Sequence, residues 1–208
     1  MGMLWMNHSG AQWRQLPERY GPWQSVYACF AKWRDDEIQK RNTLGHWETD
    51  LAIGEKSGAD RVLLTLLERK TRNFMIIPLS DKTTESVMQV FEKLRSDFWD
   101  SFSKVFRIIT TDNGTEFSKL SDLGNVADTL VYFAHPYVSY EKGSVERHNR
   151  LIRRFIPKGK RIDDYSIDDI FPIEMWCNHL PGKILGWLTP EEVFEAEQDL
   201  IYATEPVV

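Results

Sequence analysis

The sequence predicts a mixed α/β fold in which a five-stranded sheet is flanked by helices. Three strand-like runs follow one another between residues 47 and 78, and two more follow further along the chain. Neighbouring strands with short connections pair antiparallel, whereas helical crossovers favour parallel pairing. The 208 residues suffice for one full domain with appendages. We therefore expect a three-stranded meander that is extended by two parallel strands.

The five strands are predicted from short runs of apolar and β-branched residues. The second run is almost continuously apolar, which indicates a strand in the interior of the sheet. Residues 69–72 are interpreted as the hairpin turn that leads to the third strand. The predicted strands are Trp47–Ile53, Arg61–Glu68, Asn73–Pro78, Val105–Thr111 and Leu130–Ala134.

The helices are predicted from apolar residues at helical spacing and from capping residues. Ser166 and Asp169 form a capping box, and Thr189 followed by Pro190 is a typical N-cap and first helical position. The predicted helices are Thr83–Trp99, Lys142–Phe155, one from Ser166 to His179 and one that begins at Pro190. Strands and helices in this order are typical of the ribonuclease-H-like fold.

The N-terminal part of the chain differs in composition from the rest. Residues 4–33 are rich in tryptophan and interrupted by two proline-containing turns, which predicts two short helices. Val26, Phe30 and Trp33 recur at helical spacing and predict one apolar face. We divide the chain into a helical N-terminal fragment with linker, a ribonuclease-H-like core and a C-terminal helical extension, at residues 1–37, 38–162 and 163–208.

The distribution of charge indicates a nucleic-acid partner although the net charge is −5. Residues 147–161 contain seven Lys or Arg and no Asp or Glu, whereas residues 163–208 contain eleven acids and one Lys. An acidic average disfavours binding to phosphates, but a concentrated basic stripe is the better indicator of a binding surface. We expect double-stranded DNA as the partner.

Cysteine and hydropathy patterns argue against several other classes of protein. Cys29 and Cys177 are not in metal-ligand spacing, and two cysteines do not form a disulfide framework. The N-terminus shows no signal peptide, and no apolar run approaches the roughly 20 residues that span a membrane. These observations favour a reducing, cytoplasmic setting without a membrane partner.

Three acidic residues in different local contexts are candidates for one catalytic site. Asp50 lies within an apolar strand, Asp112 ends a strand before an Asn-Gly turn, and Glu146 lies near the start of a basic helix. Carboxyl ends of strands are where α/β folds place their chemistry. Two simpler interpretations stay open: Asp50 is exposed on an edge strand beside Glu48, or Asp112 is an ordinary turn residue.

The helix of Glu146 has a polar side on which Asn149, Arg150 and Arg153 accompany the carboxylate. Arginines that lack acidic neighbours on the helix indicate an anionic partner such as the DNA backbone. The alternative is a solvated, salt-bridged helix face followed by a basic surface loop. The candidate DNA-binding residues are Asn149, Arg150, Arg153, Arg154, Lys158, Lys160 and Arg161.

Carboxylates of this kind suit hard divalent cations. Mg²⁺ prefers oxygen ligands and takes one or two carboxylates together with water and phosphate oxygens. Asp50, Asp112 and Glu146 can share a pair of Mg²⁺ or Mn²⁺ ions, which is an arrangement that cuts and rejoins phosphodiester bonds by in-line displacement.

Several segments together resemble the transposases of the insertion-sequence-thirty family. The resemblance implies an integrase-type catalytic core with Asp50, Asp112 and Glu146 as the DDE metal ligands, and strand transfer by a 3′-hydroxyl. The 33 residues between Asp112 and Glu146 agree with the family spacing. Val145 departs from it, since the family more often has Asn there. The matching segments are His46–Asp50, Thr111–Phe117, His135–Tyr137, Gly143–Asn149, Arg153–Gly159, Trp176–Pro181 and Leu188–Glu192.

A different resemblance holds upstream of this core. Ala11–Tyr27 is similar to the N-terminal module of insertion-sequence-five transposases, and only its later half is present. The helix-turn-helix region that normally precedes the core of the first family is replaced. We therefore expect a chimera that is joined between Trp33 and Ile38.

Three functions are compatible with the sequence. The first is an active, nucleoid-associated bacterial DDE transposase that works as a homodimer or larger assembly on DNA. The second is a catalytically impaired chimeric relic that binds DNA non-specifically. The third is a nuclease that acts on RNA–DNA hybrids, because the fold alone does not assign a substrate.

Overall fold

The structure, a computed structural model, describes residues 13–27, 42–55, 60–134 and 143–203. The predicted mixed α/β architecture is confirmed. The strands are β1 (His46–Ile53), β2 (Val62–Glu68), β3 (Phe74–Leu79), β4 (Ile108–Thr111) and β5 (Leu130–Phe133). The helices that surround them are α1 (Thr84–Phe98), α2 (Phe102–Val105), α3 (Leu123–Val126), α4 (Gly143–Ile152), α5 (Ile167–Asn178) and α6 (Pro190–Ala203).

The sheet has the predicted topology, with the strand order β3-β2-β1-β4-β5. β1 pairs antiparallel with β2, which pairs antiparallel with β3, whereas β4 is parallel to both β1 and β5. β1 is therefore the middle strand, and β2 is an interior strand whose seven residues are all buried. Strands covered on both faces lack the hydrophobic alternation of half-exposed strands, which explains the continuous apolar run of β2.

Two hydrophobic clusters cover the two faces of the sheet. Trp47 and Leu66 belong to the cluster that α1 and α6 cover, whereas Ala52 and Leu67 belong to the cluster that α4 and α5 cover. Successive side chains of a strand point to opposite faces. The even-numbered positions of β1, including those of Glu48 and Asp50, therefore face α4.

The predicted start of β4 is wrong, because this strand begins at Ile108 rather than at Val105. Residues 102–105 form the short helix α2 instead. Phe102, Val105 and Phe106 are buried in the same cluster, and this i, i+3, i+4 spacing suits a helical turn. The helix of Glu146 ends at Ile152, three residues earlier than predicted. Its predicted first residue, Lys142, lies outside the described residues.

Both predicted capping motifs are present. Ser166 and Asp169 exchange hydrogen bonds between side chain and backbone as a capping box at the start of α5. At the start of α6, Thr189 Oγ1 accepts from the backbone N–H of Glu192, whose carboxylate accepts from the N–H of Thr189. These bonds satisfy amides that have no partner within the helix, so each helix begins at a defined residue.

Helix α5 satisfies the backbone of β3 at the outer edge of the sheet. Asn178 Oδ1 accepts from the N–H of Phe74 at 2.8 Å, and Asn178 Nδ2 donates to the carbonyl of Phe74 at 2.9 Å. Glu174 accepts from the N–H of Ile76 at 2.5 Å, and burial raises the pKa of this carboxyl. Unpaired edge strands promote association between sheets, so α5 protects the fold at this edge.

Replacement of Asn178 with Ala is expected to lower the free energy of unfolding by about 1–3 kcal/mol, because two buried backbone groups of Phe74 lose their partners. Urea denaturation monitored by circular dichroism measures the change. The control is Gln89→Ala on the exposed side of α1, where we expect little effect. Equal midpoints for the two variants would contradict the proposed role of Asn178.

The N-terminal fragment is described only in part. Two short 3-10 turns, Trp13–Gln15 and Glu18–Tyr20, precede a helical stretch at residues 23–27. Of the predicted apolar face, Phe30 and Trp33 lie outside the described residues. The boundaries at residues 37 and 162 stay predictions. Among the residues that the structure describes, no helix is long and apolar enough to cross a membrane.

Candidate active site

The parallel pairing of β1 and β4 brings two of the three candidate carboxylates to neighbouring positions. The recorded pairs, such as Glu48 with Thr110, join residues that are 62 positions apart. Asp112 follows directly after β4, and the same offset, if continued past the recorded pairs, would bring it beside Asp50. Asp112 is two residues from Thr110, and residues two apart along a strand point to the same face. Both aspartates therefore occupy positions on the face that α4 covers.

Asp50 is half-buried and contacts α4. Its Oδ2 accepts a hydrogen bond from Asn149 Nδ2 at 2.9 Å. The alternative of an exposed edge strand is wrong, because β1 is the middle strand and Glu48 is fully buried. A carboxylate in this position needs a polar partner, and Asn149 supplies one.

Asp112 stands at the predicted tight turn. Its Oδ1 accepts from the N–H of Gly114 at 3.1 Å, and Asn113 Nδ2 donates to the carbonyl of Ala134 at 2.9 Å. A Cβ at Gly114 would lie 2.6 Å from the carboxyl carbon of Glu116, so a larger residue here would have to displace the Glu116 carboxylate. The hydrogen bond from Gly114 orients the Asp112 side chain at the turn after β4.

Glu146 lies in the first turn of α4, with an exposed side chain. The helix follows β1, since Asn149 binds Asp50 and Arg153 Nη2 donates to the carbonyl of Ile53 at 2.9 Å. Residues three apart on a helix are neighbours on its surface. Glu146 is therefore one turn from Asn149, on the side of α4 that carries the contact with Asp50.

The arrangement fits hard cations in its chemistry but is not a closed metal site. In the described parts of the chain, no three His, Cys, Asp or Glu side chains are grouped closely enough to hold a metal ion. Asn149 Oδ1 is buried without a hydrogen-bond partner, so an additional oxygen acceptor lies beside Asp50. Carboxylate and amide oxygens are ligands that Mg²⁺ accepts.

The predicted DNA-binding residues differ in their surroundings. Arg150, Lys158 and Lys160 are exposed. Arg161 Nη2 lies 3.1 Å from Asp163, and the guanidinium of Arg154 lies 5.6 Å from the ring of Trp176. Burial lowers the pKa of Arg153, whose guanidinium binds the β1 backbone as described above. Arg154 and Arg161 are exposed too, but each already contacts another side chain, so Arg150, Lys158 and Lys160 are the stronger candidates for binding a DNA backbone.

Sequence reasoning missed the role of Glu48. Its Oε1 lies 2.9 Å from Arg69 Nε, and both side chains are almost inaccessible to solvent. Its Oε2 accepts from the backbone N–H groups of Ser144 and Val145 at 3.1 and 2.8 Å. The available signal was its spacing of two residues from Asp50, which puts both carboxylates on the same face of a strand.

Comparisons with known proteins support both resemblances that the sequence indicated. A family model described as "Putative transposase of IS4/5 family (DUF4096)" matches residues 1–42. One similar protein is "Probable transposase for insertion-like sequence element IS1161" of Streptococcus salivarius, with 35% identity over 79% of this chain. Another is "Transposase InsI for insertion sequence element IS30A" of Escherichia coli (strain K12), with 32% identity over 78% of the chain. The chain spans 46% and 41% of the lengths of these two relatives.

Solved structures with a similar fold are integrase cores. The catalytic core domain of BIV integrase superposes with a TM-score of 0.56 at 16% identity. The match covers 76% of this chain and 98% of the integrase chain. The HTLV-2 integrase catalytic core domain in complex with magnesium gives a TM-score of 0.54 at 14% identity, covering 73% of this chain and 97% of its own. This likeness confirms the ribonuclease-H-like fold.

Proposed function

Because this chain is homologous over 78–79% of its length to transposases of insertion sequence elements, including that of IS30A, we propose that it is the catalytic part of a DNA transposase. The proposed activity is that of a polynucleotidyl transferase: metal-dependent cleavage at the ends of an element, followed by transfer of the 3′-hydroxyl end into target DNA. Asp50, Asp112 and Glu146 are the proposed DDE residues.

The contact between Asp50 and Asn149 supports this proposal most directly. It joins the middle strand of the sheet to the helix that carries Glu146. The β1–β4 register brings Asp112 to the same face of the sheet. These two observations support a site shared by a carboxylate from β1, one from the turn after β4 and one from α4.

In strand transfer, a 3′-hydroxyl oxygen of the element forms a bond to a phosphorus of the target strand. At the same time, the bond from that phosphorus to the 3′-oxygen of the adjacent target nucleotide breaks. The number of phosphodiester bonds is unchanged, and the hydroxyl proton is transferred through solvent to the oxygen that leaves. Bound at this site, a pair of Mg²⁺ or Mn²⁺ ions would supply the positive charge that stabilises the attacking and leaving oxygens. Asp50, Asp112 and Glu146 would hold the ions, and the amide of Asn149 would orient Asp50.

Double-stranded DNA is the proposed partner, both as element ends and as target. Arg150, Lys158 and Lys160 provide exposed positive charge next to Glu146 along the chain. An assembly of two or more copies on DNA is proposed, and one structural neighbour is a simian T-cell lymphotropic virus intasome. Recognition of element ends by residues 1–42 is a separate question, since this segment matches an IS4/5 family model whereas the core is similar to transposases such as that of IS30A.

The test is cleavage of supercoiled plasmid and strand transfer between labelled oligonucleotides with Mg²⁺ or Mn²⁺. We expect nicked plasmid and joined products with metal and neither product in EDTA. A folded protein that binds DNA in a salt-sensitive manner without cutting it would favour the relic interpretation. Preferential cleavage of an RNA–DNA hybrid over duplex DNA would favour the nuclease.

Substitution of the exposed basic residues is expected to weaken DNA binding at all sequences. Arg150→Ala and Lys158→Ala should each reduce the slope of log affinity against log salt by about 1, because each removes one phosphate contact. Fluorescence anisotropy across a salt series measures this slope. Lys93→Ala on α1 is the control, since this exposed lysine lies on the opposite side of the sheet. An unchanged slope for both test variants would contradict the assignment.

A further inference from the structure

Glu48 has an environment that stability alone does not explain. The side chain is fully buried beside Arg69, which is also buried. Burial removes the hydration of both charges, and apolar residues of similar size are often equally good or better for stability. An ion pair in such a place therefore suggests a requirement for a specific arrangement.

The second carboxylate oxygen of Glu48 contacts the start of α4. It accepts from the backbone amides of Ser144 and Val145, which begin α4 and have no partners within the helix. A negative charge at the start of a helix also interacts favourably with the helix dipole. One side chain of β1 thus holds the first turn of α4 in position, while the ion pair with Arg69 holds that side chain.

We propose that Glu48 is a positioning residue, which sets the location of Glu146 relative to Asp50. This inference rests on the proposed function, because it presumes that Glu146 and Asp50 act in one site. Glu48 and Asp50 are two residues apart on the same face of β1, and Glu146 directly follows Val145 in α4. The relative placement of the two carboxylates is therefore determined by a short path through Glu48 and the first helical turn.

The effect of positioning can be separated from that of stability with two double variants. Glu48→Ala with Arg69→Met replaces the ion pair by apolar groups and removes the acceptor for the α4 amides. Glu48→Gln with Arg69→Gln removes both charges but keeps a carbonyl oxygen at residue 48. Both double variants avoid leaving one buried charge without its partner, which would itself destabilise the protein.

We expect the Ala–Met variant to fold, to bind DNA with unchanged KM, and to lose about 100-fold in kcat for strand transfer, since small displacements of reacting groups cost this much. The Gln–Gln variant should recover most of the kcat. Thermal unfolding of each variant provides the comparison with stability. Wild-type kcat in a folded Ala–Met variant would overturn the inference.

Glu68 provides a matched control. It is a buried glutamate on β2 that accepts from backbone amides, including those of Gly45 and Thr71, but it lies on the opposite face of the sheet from α4. Glu68→Gln should lower the melting temperature and leave the kcat of the folded protein unchanged. A loss of kcat at Glu68 as large as that at Glu48 would mean that the effect is merely structural.

Hydrogen exchange gives a readout that does not depend on activity. In the Ala–Met variant we expect faster exchange of the amides of Ser144 and Val145, with exchange in α5 unchanged. If the wild type does not cut DNA, the proposed function fails, and the exchange data still decide whether Glu48 anchors α4. Equal exchange in wild type and variant would refute the anchor.

Discussion

Replacement of Asp112 with Asn is expected to lower metal-dependent DNA cleavage by about 1,000-fold or more, because the proposed ligand to the catalytic ions would lose its charge. The fold should survive the change, since the side-chain oxygen of Asn can still accept the turn hydrogen bond from Gly114. Nicking of supercoiled plasmid under single-turnover conditions measures the rate. Asp50→Asn and Glu146→Gln should give losses of similar size.

Asp122→Asn is the control for this series, because Asp122 is an exposed acid in the 3-10 turn Leu120–Asp122, outside the proposed site. It should cut DNA at the wild-type rate. Circular dichroism and DNA affinity establish that each inactive variant is folded and still binds its substrate. Full activity of Asp112→Asn would remove this residue from the catalytic site and, with it, the DDE assignment.

Replacement of Trp47 with Ala is expected to lower the free energy of unfolding by about 4 kcal/mol, which is within the range for large aromatic residues in cores. The Trp47 ring is fully buried and stacks on Phe106 with centroids 4.8 Å apart, and it meets the edge of Phe194 at 5.8 Å. Its indole N–H donates to the carbonyl of Val105 at 2.7 Å, and this carbonyl would lose its partner.

Trp99→Ala is the matched control, because the Trp99 side chain is 80% exposed. It should change stability by no more than about 0.5 kcal/mol. Chemical denaturation monitored at two wavelengths measures both variants. Comparable losses at Trp47 and Trp99 would show that the packing of Trp47 across β1, α2 and α6 is not what stabilises the sheet.

Much of the fold was predictable because its signals are local. The continuous apolar run of β2, the capping box at Ser166 and the Thr189-Pro190 helix start each depend on residues within a few positions of one another. The boundary of β4 was missed because Val105 suits both a strand and a helical turn. Val105 is buried in the same cluster as Phe102, three residues earlier, and this spacing favours a helical turn. The run of apolar residues alone does not show which of them are buried together.

The candidate site was predictable in its members and less so in its geometry. Asp50, Asp112 and Glu146 stand out because each interrupts or ends a patterned segment. The hydrogen bond between Asn149 and Asp50 joins residues 99 positions apart in the chain, so no local pattern contains it. The same holds for Glu48, whose partners at residues 144 and 145 follow only from the packing of α4 on β1.

The sequence by itself determined the strand and helix order, the acidic candidates, the basic segment after Glu146 and the two transposase resemblances, because composition, periodicity and motif spacing record these properties along the chain. The tertiary structure alone decided that β1 is the middle strand, that β4 lies next to β1, and that Glu48 is buried with Arg69 at the start of α4. These properties depend on which distant segments pack together, and the energy of a buried charge is set by those neighbours rather than by adjacent residues.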